Sequence, residues 1–174
     1  MTPSGVLAVI LLALPVDDRG AWADGRVSAA AEANPDTAAE EGPDLQIANV
    51  LPRTPGGLCA GPANTFQVMI RNGSRVPVSE RFVVRLRIRR TADVGGVTRL
   101  DLEVVGLDTL EVRSVLFRNV DLAEGLHAVA ATIDAGNRIP ERPPAAEANN
   151  DFPAAGRPGL TPNVTRLCGG GPIG

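Results

Sequence analysis

The chain has 174 residues, enough for one domain with a single hydrophobic core. Its formal net charge is −3, which excludes a strongly basic nucleic-acid-binding domain as the default expectation. All 17 basic residues are arginine, tyrosine is absent, and His127 is the single histidine. His127 lies in an apolar alternating stretch, so we expect a half-buried structural role for it. Lysine and tyrosine are therefore absent as catalytic groups, and a catalytic triad or a histidine-based metal site would depend on His127 alone. For this reason we do not expect an enzyme.

The N-terminal residues have the pattern of a secretory signal peptide. Residues 6–16 form an apolar run too short to span a membrane, and Ala21-Trp22-Ala23 has the small-x-small pattern of a cleavage site. We therefore expect residues 1–23 to be a signal peptide and the mature protein to be secreted, periplasmic or at the cell surface, without a transmembrane segment. The region before the apolar run lacks lysine and arginine, so a buried N-terminal element is the alternative.

Residues 24–42 are rich in alanine and acidic residues and contain almost no large apolar side chain. Such a segment cannot bury enough surface to order itself, so we predict a disordered linker. Its net charge is −4 and the rest of the chain is mildly basic, so docking onto the domain is an alternative to a solvated spacer. Residues 169–174, mostly glycine, are predicted to be a flexible tail.

Residues 43–168 form the predicted domain, in which apolar and polar side chains alternate as in half-buried β-strands. The clearest strand is 80–90, and further strands are predicted at 44–51, 65–72, 97–105, 110–120, 126–134 and 163–168. Glycine, proline and asparagine separate the strands, and no amphipathic helix is present. We therefore predict an all-β fold, an antiparallel Ig-like or fibronectin-III-like β-sandwich of about seven strands.

Cys59 and Cys168 are the two cysteines of the chain. In an exported protein two cysteines most economically form one disulfide, which here would attach the C-terminal segment to the body of the sandwich. The chain-entropy model gives at most about 5 kcal/mol for so long a loop. Free thiols and an intermolecular bond are the alternatives.

Four motifs run through this domain in a fixed order. Pro43-Asp44-Leu45-Gln46-Ile47 opens the first strand, and the turn Asn72-Gly73-Ser74 follows the second. The strand Gly125 to Asp134 leads into closing segments at 134–141 and 147–150. In these motifs the chain resembles the CARDB family, a cell-adhesion-related domain found in bacteria, over about residues 43–151. The resemblance implies an Ig-like sandwich in an exported or surface protein and no catalysis.

Acidic and amide side chains follow the last clear strand. The candidate ligands for a cation are Asp134, Asn137, Glu141 and Glu147, with Asn149 and Asn150 close by in sequence. Their oxygens are ligands that Ca²⁺ prefers, and loops at the ends of sandwiches provide such sites. The structural alternative is that these side chains bond to backbone groups at turns. Glu141 and Glu147 are also further apart in sequence than in the CARDB pattern. We expect no cofactor, with calcium as the alternative.

Arginines alternate with apolar residues along the strand 80–90. Arg81, Arg85, Arg87 and Arg89 are predicted to lie on one face, with Arg90 adjacent. Such a face offers a site for an anionic partner, because guanidinium groups bind carboxylate and phosphate with two hydrogen bonds. Cross-strand pairing with Asp101, Glu103 or Glu111, which would also protect the sheet from edge-to-edge aggregation, is the interpretation that we favour.

These features predict an exported, non-catalytic binding or adhesion-type module whose partner is a protein or a cell-surface polymer. Sugar binding by stacking is not expected, because at least three of the four phenylalanines are predicted to face inward. A calcium-dependent binding module and a purely structural periplasmic protein are the alternative functions.

Overall fold

The computed structural model describes residues 41–93, 96–142 and 144–169. The predicted signal peptide, nearly all of the predicted linker and most of the predicted tail lie outside these residues. No helix within the described ranges is long and apolar enough to cross a membrane.

The described residues form an antiparallel β-sandwich, as predicted. In chain order the strands are β1 (Leu45–Pro52), β2 (Gly61–Asn72), β3 (Val78–Arg90), β4 (Val97–Leu107), β5 (Val112–Leu122), β6 (Gly125–Thr132), β7 (Asp151–Phe152) and β8 (Asn163–Val164). One sheet has the order β1-β2-β5, and the other has the order β4-β3-β6-β7, with β8 paired to the start of β6. A 3-10 helix, Pro144–Asn149, precedes β7.

The core lies between the two sheets and is formed by the side chains that the alternation places inward. Phe66, Val68 and Ile70 on β2 are fully buried. On the facing sheet the predicted inward residues of β3 are buried as well; they are Phe82, Val84, Leu86 and Ile88. Burying one such side chain contributes about 1.5–3 kcal/mol, so β2 and β3 supply a large share of the stability of the sandwich.

Strand β1 departs from simple alternation. Its register against β2 shifts between Ile47 and Asn49, which marks a β-bulge. Because of this extra residue, Leu45 and Val50 are both buried, although residues five positions apart lie on opposite faces of a regular strand. Ile47 remains only partly buried against the core.

A disulfide joins Cys59 to Cys168, which confirms the predicted pairing. Asn64 holds the loop around Cys59: its side chain accepts a hydrogen bond from the Cys59 N–H and donates to the carbonyls of Cys59, Gly61 and Val120. A parallel bridge between Ala60 and Leu167 continues the attachment next to the disulfide. The C-terminal segment is therefore fixed to the start of β2.

Candidate functional site

A cluster of acidic and amide side chains lies where the start of β1 meets the 3-10 helix. We call it the carboxylate cluster; its members are Asp44, Glu141, Glu147, Asn149 and Asn150. The Asn149 amide donates to Asp44 Oδ1 at 2.9 Å, across 105 residues of sequence. The Asn150 amide donates to Glu147 Oε2 at 3.0 Å, and the Glu141 backbone N–H donates to Glu147 Oε1 at 3.3 Å. Hydrogen bonds therefore link the start of β1 to the helix, and Glu141 to Glu147 and Asn150.

Glu141 is the buried centre of this cluster. It is 4% exposed, and neither of its carboxylate oxygens has a hydrogen-bond partner among the described residues. Burial raises the pKa of Glu141 to about 7, with repulsion from the Glu147 and Asp44 carboxylates adding to the shift. The Asn150 side chain and the Leu45 N–H lower this pKa, but neither makes a well-formed hydrogen bond to the carboxylate.

Further buried oxygens at this end of the sandwich lack a donor. Asn149 Oδ1 and Asn150 Oδ1 accept no hydrogen bond from the described part of the chain, and each amide group of these residues already donates to a carboxylate. Leaving a buried polar atom unpaired costs about 1–3 kcal/mol, so several in one place need a physical reason. A bound cation satisfies unpaired oxygens of this kind.

Asp134 and Asn137, two of the predicted cation ligands, occupy a turn after β6. Both have positive φ, 45° and 47°, and the Asn137 N–H donates to the Asp134 carbonyl at 2.7 Å. Asp134 Oδ2 accepts from the Ile139 N–H at 2.7 Å, whereas its Oδ1 is buried and unpaired among the described residues. Asn137 is exposed. The structure therefore brings Glu141 and Glu147 together and uses Asp134 and Asn137 first of all to shape a turn.

Asp44 is a member of the cluster that was not among the predicted ligands. It belongs to the opening motif of the domain, but nothing in its neighbourhood in sequence indicates a contact with residues 141–150. Gly73 allows its position, because a Cβ at residue 73 would overlap Asp44 Oδ2. The Gly73 N–H also donates to the Asp44 carbonyl at 2.6 Å. This close approach explains the glycine in the turn after β2.

A shallow cleft of about 660 Å³ borders the carboxylate cluster; Asp44 and Asn149 of the cluster line it, together with Arg75 and Arg142. Within the described ranges, no three Asp, Glu, His or Cys side chains already converge to hold a metal ion. A cation here would therefore be held partly by the amide oxygens of Asn149 and Asn150, and by water entering through the cleft.

The outward side chains of β3 form what we call the arginine face: Arg81, Arg85, Arg87 and Arg89. Two of them pair across the strand boundary with β4. Arg85 binds Asp101 with two hydrogen bonds, 2.8 and 2.9 Å long, and this contact lowers the pKa of the Asp101 carboxyl. Arg81 Nη1 lies 2.5 Å from Glu103 Oε1. Exposed pairs of this kind contribute about 0.2–1 kcal/mol each.

At the end of the arginine face that contains Arg87 and Arg89, carboxylates neutralise less of the positive charge. Arg87 donates to Thr132 Oγ1 at 3.0 Å and lies 3.5 Å from Asp151 Oδ1. The side chain of Arg89 forms no hydrogen bond or ion pair with any residue that the structure describes. The side chain of Arg99 on β4 forms none either, although its charge helps to lower the pKa of Asp101. Glu111, the third predicted partner, pairs instead with Arg113, two residues along the chain. Positive charge is therefore left over at the end of β3 near Arg89.

His127 is 3% exposed, more deeply buried than expected, and its Nδ1 lies 3.0 Å from the carbonyl oxygen of Gly125. Its backbone N–H donates to the Pro162 carbonyl, which ties β6 to the segment before β8. His127 also borders a small cleft of about 280 Å³, but its burial and these backbone contacts indicate a structural role.

No family model matches the sequence, and no curated protein matches it significantly. Among solved structures, the chain is similar to the CARDB domain of the PF1109 protein from Pyrococcus furiosus, crystallised in complex with di-metal ions. The identity is 22% and the TM-score 0.50, over 72% of this chain and 90% of that one. A solution NMR structure of that domain gives 23% identity and a TM-score of 0.48, over 73% and 97%. The resemblance inferred from the motifs is confirmed in the architecture: this protein has a fold like that of a CARDB domain.

Proposed function

We propose that this protein is an exported, non-catalytic module that binds a protein or a cell-surface polymer, and that the arginine face takes anionic groups of the partner. The observation that carries the proposal is the excess of positive charge near Arg89. Guanidinium groups without an internal carboxylate are free to bind one on a partner. The burial of His127, the single histidine of the chain, and its contact with the Gly125 carbonyl support a structural role for this ring.

A carboxylated polysaccharide tests this role. Polygalacturonate on a sensor surface serves as the probe, and the variant R87E/R89E reverses two charges of the arginine face. The control R118E/R138E makes the same change in net charge at two exposed arginines elsewhere. We expect binding that weakens with salt, that is lost in R87E/R89E and that survives in the control. Equal binding by both variants would exclude the arginine face as the binding surface.

A second candidate function is calcium-dependent binding through the carboxylate cluster. The specific observation is the set of unpaired buried oxygens on Glu141, Asn149 and Asn150. Ca²⁺ takes six to eight oxygen ligands in flexible geometry, and Glu147 and Asp44 supply further carboxylate oxygens nearby. The Pyrococcus furiosus domain crystallised in complex with di-metal ions, which is in keeping with a cation site in a domain of this fold.

Thermal unfolding with and without Ca²⁺ tests this candidate. We expect the wild-type Tm to rise by about 4 °C at a tenfold excess over Kd, and a chelator to reverse the rise. E147Q keeps the shape of the side chain but removes a charge, and should abolish the rise. E124Q is the control, because Glu124 is exposed and distant in sequence from the cluster. A rise that persists in E147Q contradicts the proposed ligand set.

The two experiments also address a purely structural role. A protein that neither binds the polysaccharide nor responds to Ca²⁺ would favour that alternative. A response to Ca²⁺ in the melting experiment, together with polysaccharide binding that a chelator abolishes, would join the two candidates into one calcium-dependent module.

A further inference from the structure

Strand β4 forms one edge of its sheet, and among the described residues no strand pairs with its outer side. Natural proteins usually protect such edges with bulges, short strands or charge. The other edges follow this rule: β1 carries a bulge, β7 has two residues, and the pairing of β2 with β5 is irregular. Strand β4 carries the charged residues Arg99, Asp101 and Glu103, but it is long and keeps a regular register with β3 over Val97–Val105.

This edge also exposes apolar side chains. Val97 is 52% exposed, Val105 58% and Leu102 37%. A long, regular edge strand with exposed apolar residues is a template for pairing with another strand.

The sequence of β4 is complementary to itself when read in the opposite direction. Residues 97–105 read VTRLDLEVV, and Asp101 is the centre. An antiparallel copy aligned on this centre places Arg99 opposite Glu103, Val97 opposite Val105, and Leu100 opposite Leu102. Because both copies contribute the same strand, each of these three pairs occurs twice about a two-fold axis.

The backbone N–H and C=O groups of β4 point in the directions that this alignment requires. The Ala135 N–H donates to the Val83 carbonyl, so Val83 directs its N–H and C=O toward β6, and its β4 partner Glu103 directs its own to the free edge. Since alternate residues direct these groups to the same side, residues 97, 99 and 101 present theirs there as well. In the proposed alignment, the same residues form the hydrogen-bonded pairs between the two copies of β4. At the end of β4, Arg113 Nη1 donates to the carbonyls of both Val105 and Gly106. A carbonyl has two lone pairs, so Arg113 and the partner strand can share the Val105 oxygen.

The charges fit as well. Within the described residues Arg99 forms no ion pair, although its charge helps to lower the pKa of Asp101. A second copy places Glu103 opposite Arg99, and Arg99 then shares this carboxylate with Arg81 of the second copy. Asp101 would meet Asp101 of the other copy on the axis, but each of these carboxylates is already bound by Arg85 through two hydrogen bonds. Opposite charges directly across an antiparallel pair stabilise it.

We propose that two copies of this protein associate through β4, in antiparallel register about Asp101, to form one continuous sheet. The partner surface is therefore a second copy of this chain. The proposal is independent of the function of the arginine face and of the carboxylate cluster.

A charge-swap series tests the proposal by sedimentation of the purified full-length protein and its variants over a range of concentrations. We expect a monomer–dimer equilibrium in the wild type. R99E places two carboxylates opposite each other on both sides of the axis and should weaken the dimer at least about tenfold; E103R does the same with two guanidinium groups. The double variant R99E/E103R restores both pairs with reversed polarity and should restore the dimer.

The control is R118E, which changes the net charge as R99E does but lies on β5. A monomer at every concentration overturns the proposal, and so does a dimer that R99E leaves intact. A dimer that R99E weakens but the double variant does not restore rejects the register. Dimerisation that begins only after residues 1–40 are removed would assign the edge to this chain's own N-terminal segment instead.

Discussion

At the scale of single residues, Glu141 makes the stability of the fold depend on pH. Its pKa is about 7 in the folded protein, above the ordinary value of 4.5 that applies to the unfolded chain. Between these values the folded state keeps a proton that the unfolded state has released. The free energy of unfolding therefore falls as the pH rises through this window, and it levels off above pH 7.

We predict that E141Q is more stable than the wild type at pH 8, and that its stability changes less between pH 5 and pH 8. Urea unfolding in the presence of a chelator measures both effects. Asp101 and Glu111 do not interfere, because their lowered pKa values affect stability only at more acidic pH. E124Q is the matched control. Parallel pH profiles for the wild type and E141Q would contradict the buried position of this carboxyl.

Individual residues were predictable where one strand determines their environment. The alternation along β3 places Phe82 and Leu86 in the core without knowledge of any other strand. Asp44 and Asn149 were not predictable as neighbours, because 105 residues separate them and only the complete fold brings them together. Asn64 was missed for the same reason: its role depends on carbonyls from the Cys59 loop and from β5.

At the scale of elements, the disulfide fixes the C-terminal segment, which has little regular structure of its own. Strand β8 has only two residues. Cross-linking two cysteines 109 residues apart restricts the unfolded chain, and this restriction is the main source of the stability that a disulfide adds.

We predict that C59A/C168A lowers the free energy of unfolding by about 2–5 kcal/mol. Urea unfolding measures the loss. The wild type under reducing conditions provides the control, because it should lose a similar amount without any substitution. A variant as stable as the oxidised wild type would show that the native contacts around Ala60 and Leu167 suffice.

The longer strands were predictable to within a few residues, whereas the short elements were not. Strand β5 begins at Val112 rather than at residue 110, because Leu110 has a φ of 56° in the turn that follows β4. Strand β7 and the 3-10 helix carry no periodic signal, since two residues or a short helix cannot show one. Their position depends on the tertiary contacts of β6 and β1.

At the scale of the whole molecule, export remains a prediction from the N-terminal sequence. We expect the protein recovered from outside the cytoplasm to begin at Asp24, with thiols that react with an alkylating reagent only after reduction. Intact mass spectrometry measures both properties in one sample. A full-length cytosolic species with two reactive thiols would contradict export and, with it, an envelope partner.

The fold class and the arginine face of the domain follow from its sequence, but the edge of the sheet at β4 does not. Alternation and turn residues specify a sandwich, because they act locally. The pairing of Arg85 with Asp101 was among the sequence predictions, since β3 and β4 are neighbours in the chain. The unpaired outer side of β4, in contrast, depends on the strand order of the whole sheet. Strand order is determined only when all the strands of the sheet have assembled.

The disulfide also decides how the domain responds to a pulling force. Residues 59–168 form a covalently closed loop, so tension between the ends passes directly from Cys168 to Cys59. Of the described strands, only β1 lies between the N-terminus and Cys59 and therefore bears the tension. If β1 unfolds, it and the segment up to Cys59 can extend by about 50 Å. If the disulfide were reduced, the residues between the two cysteines would add roughly 370 Å. Peeling β1 from its edge position would withdraw Asp44 from the carboxylate cluster. A cation bound to Asp44 in this cluster would therefore increase the force that is needed to detach β1.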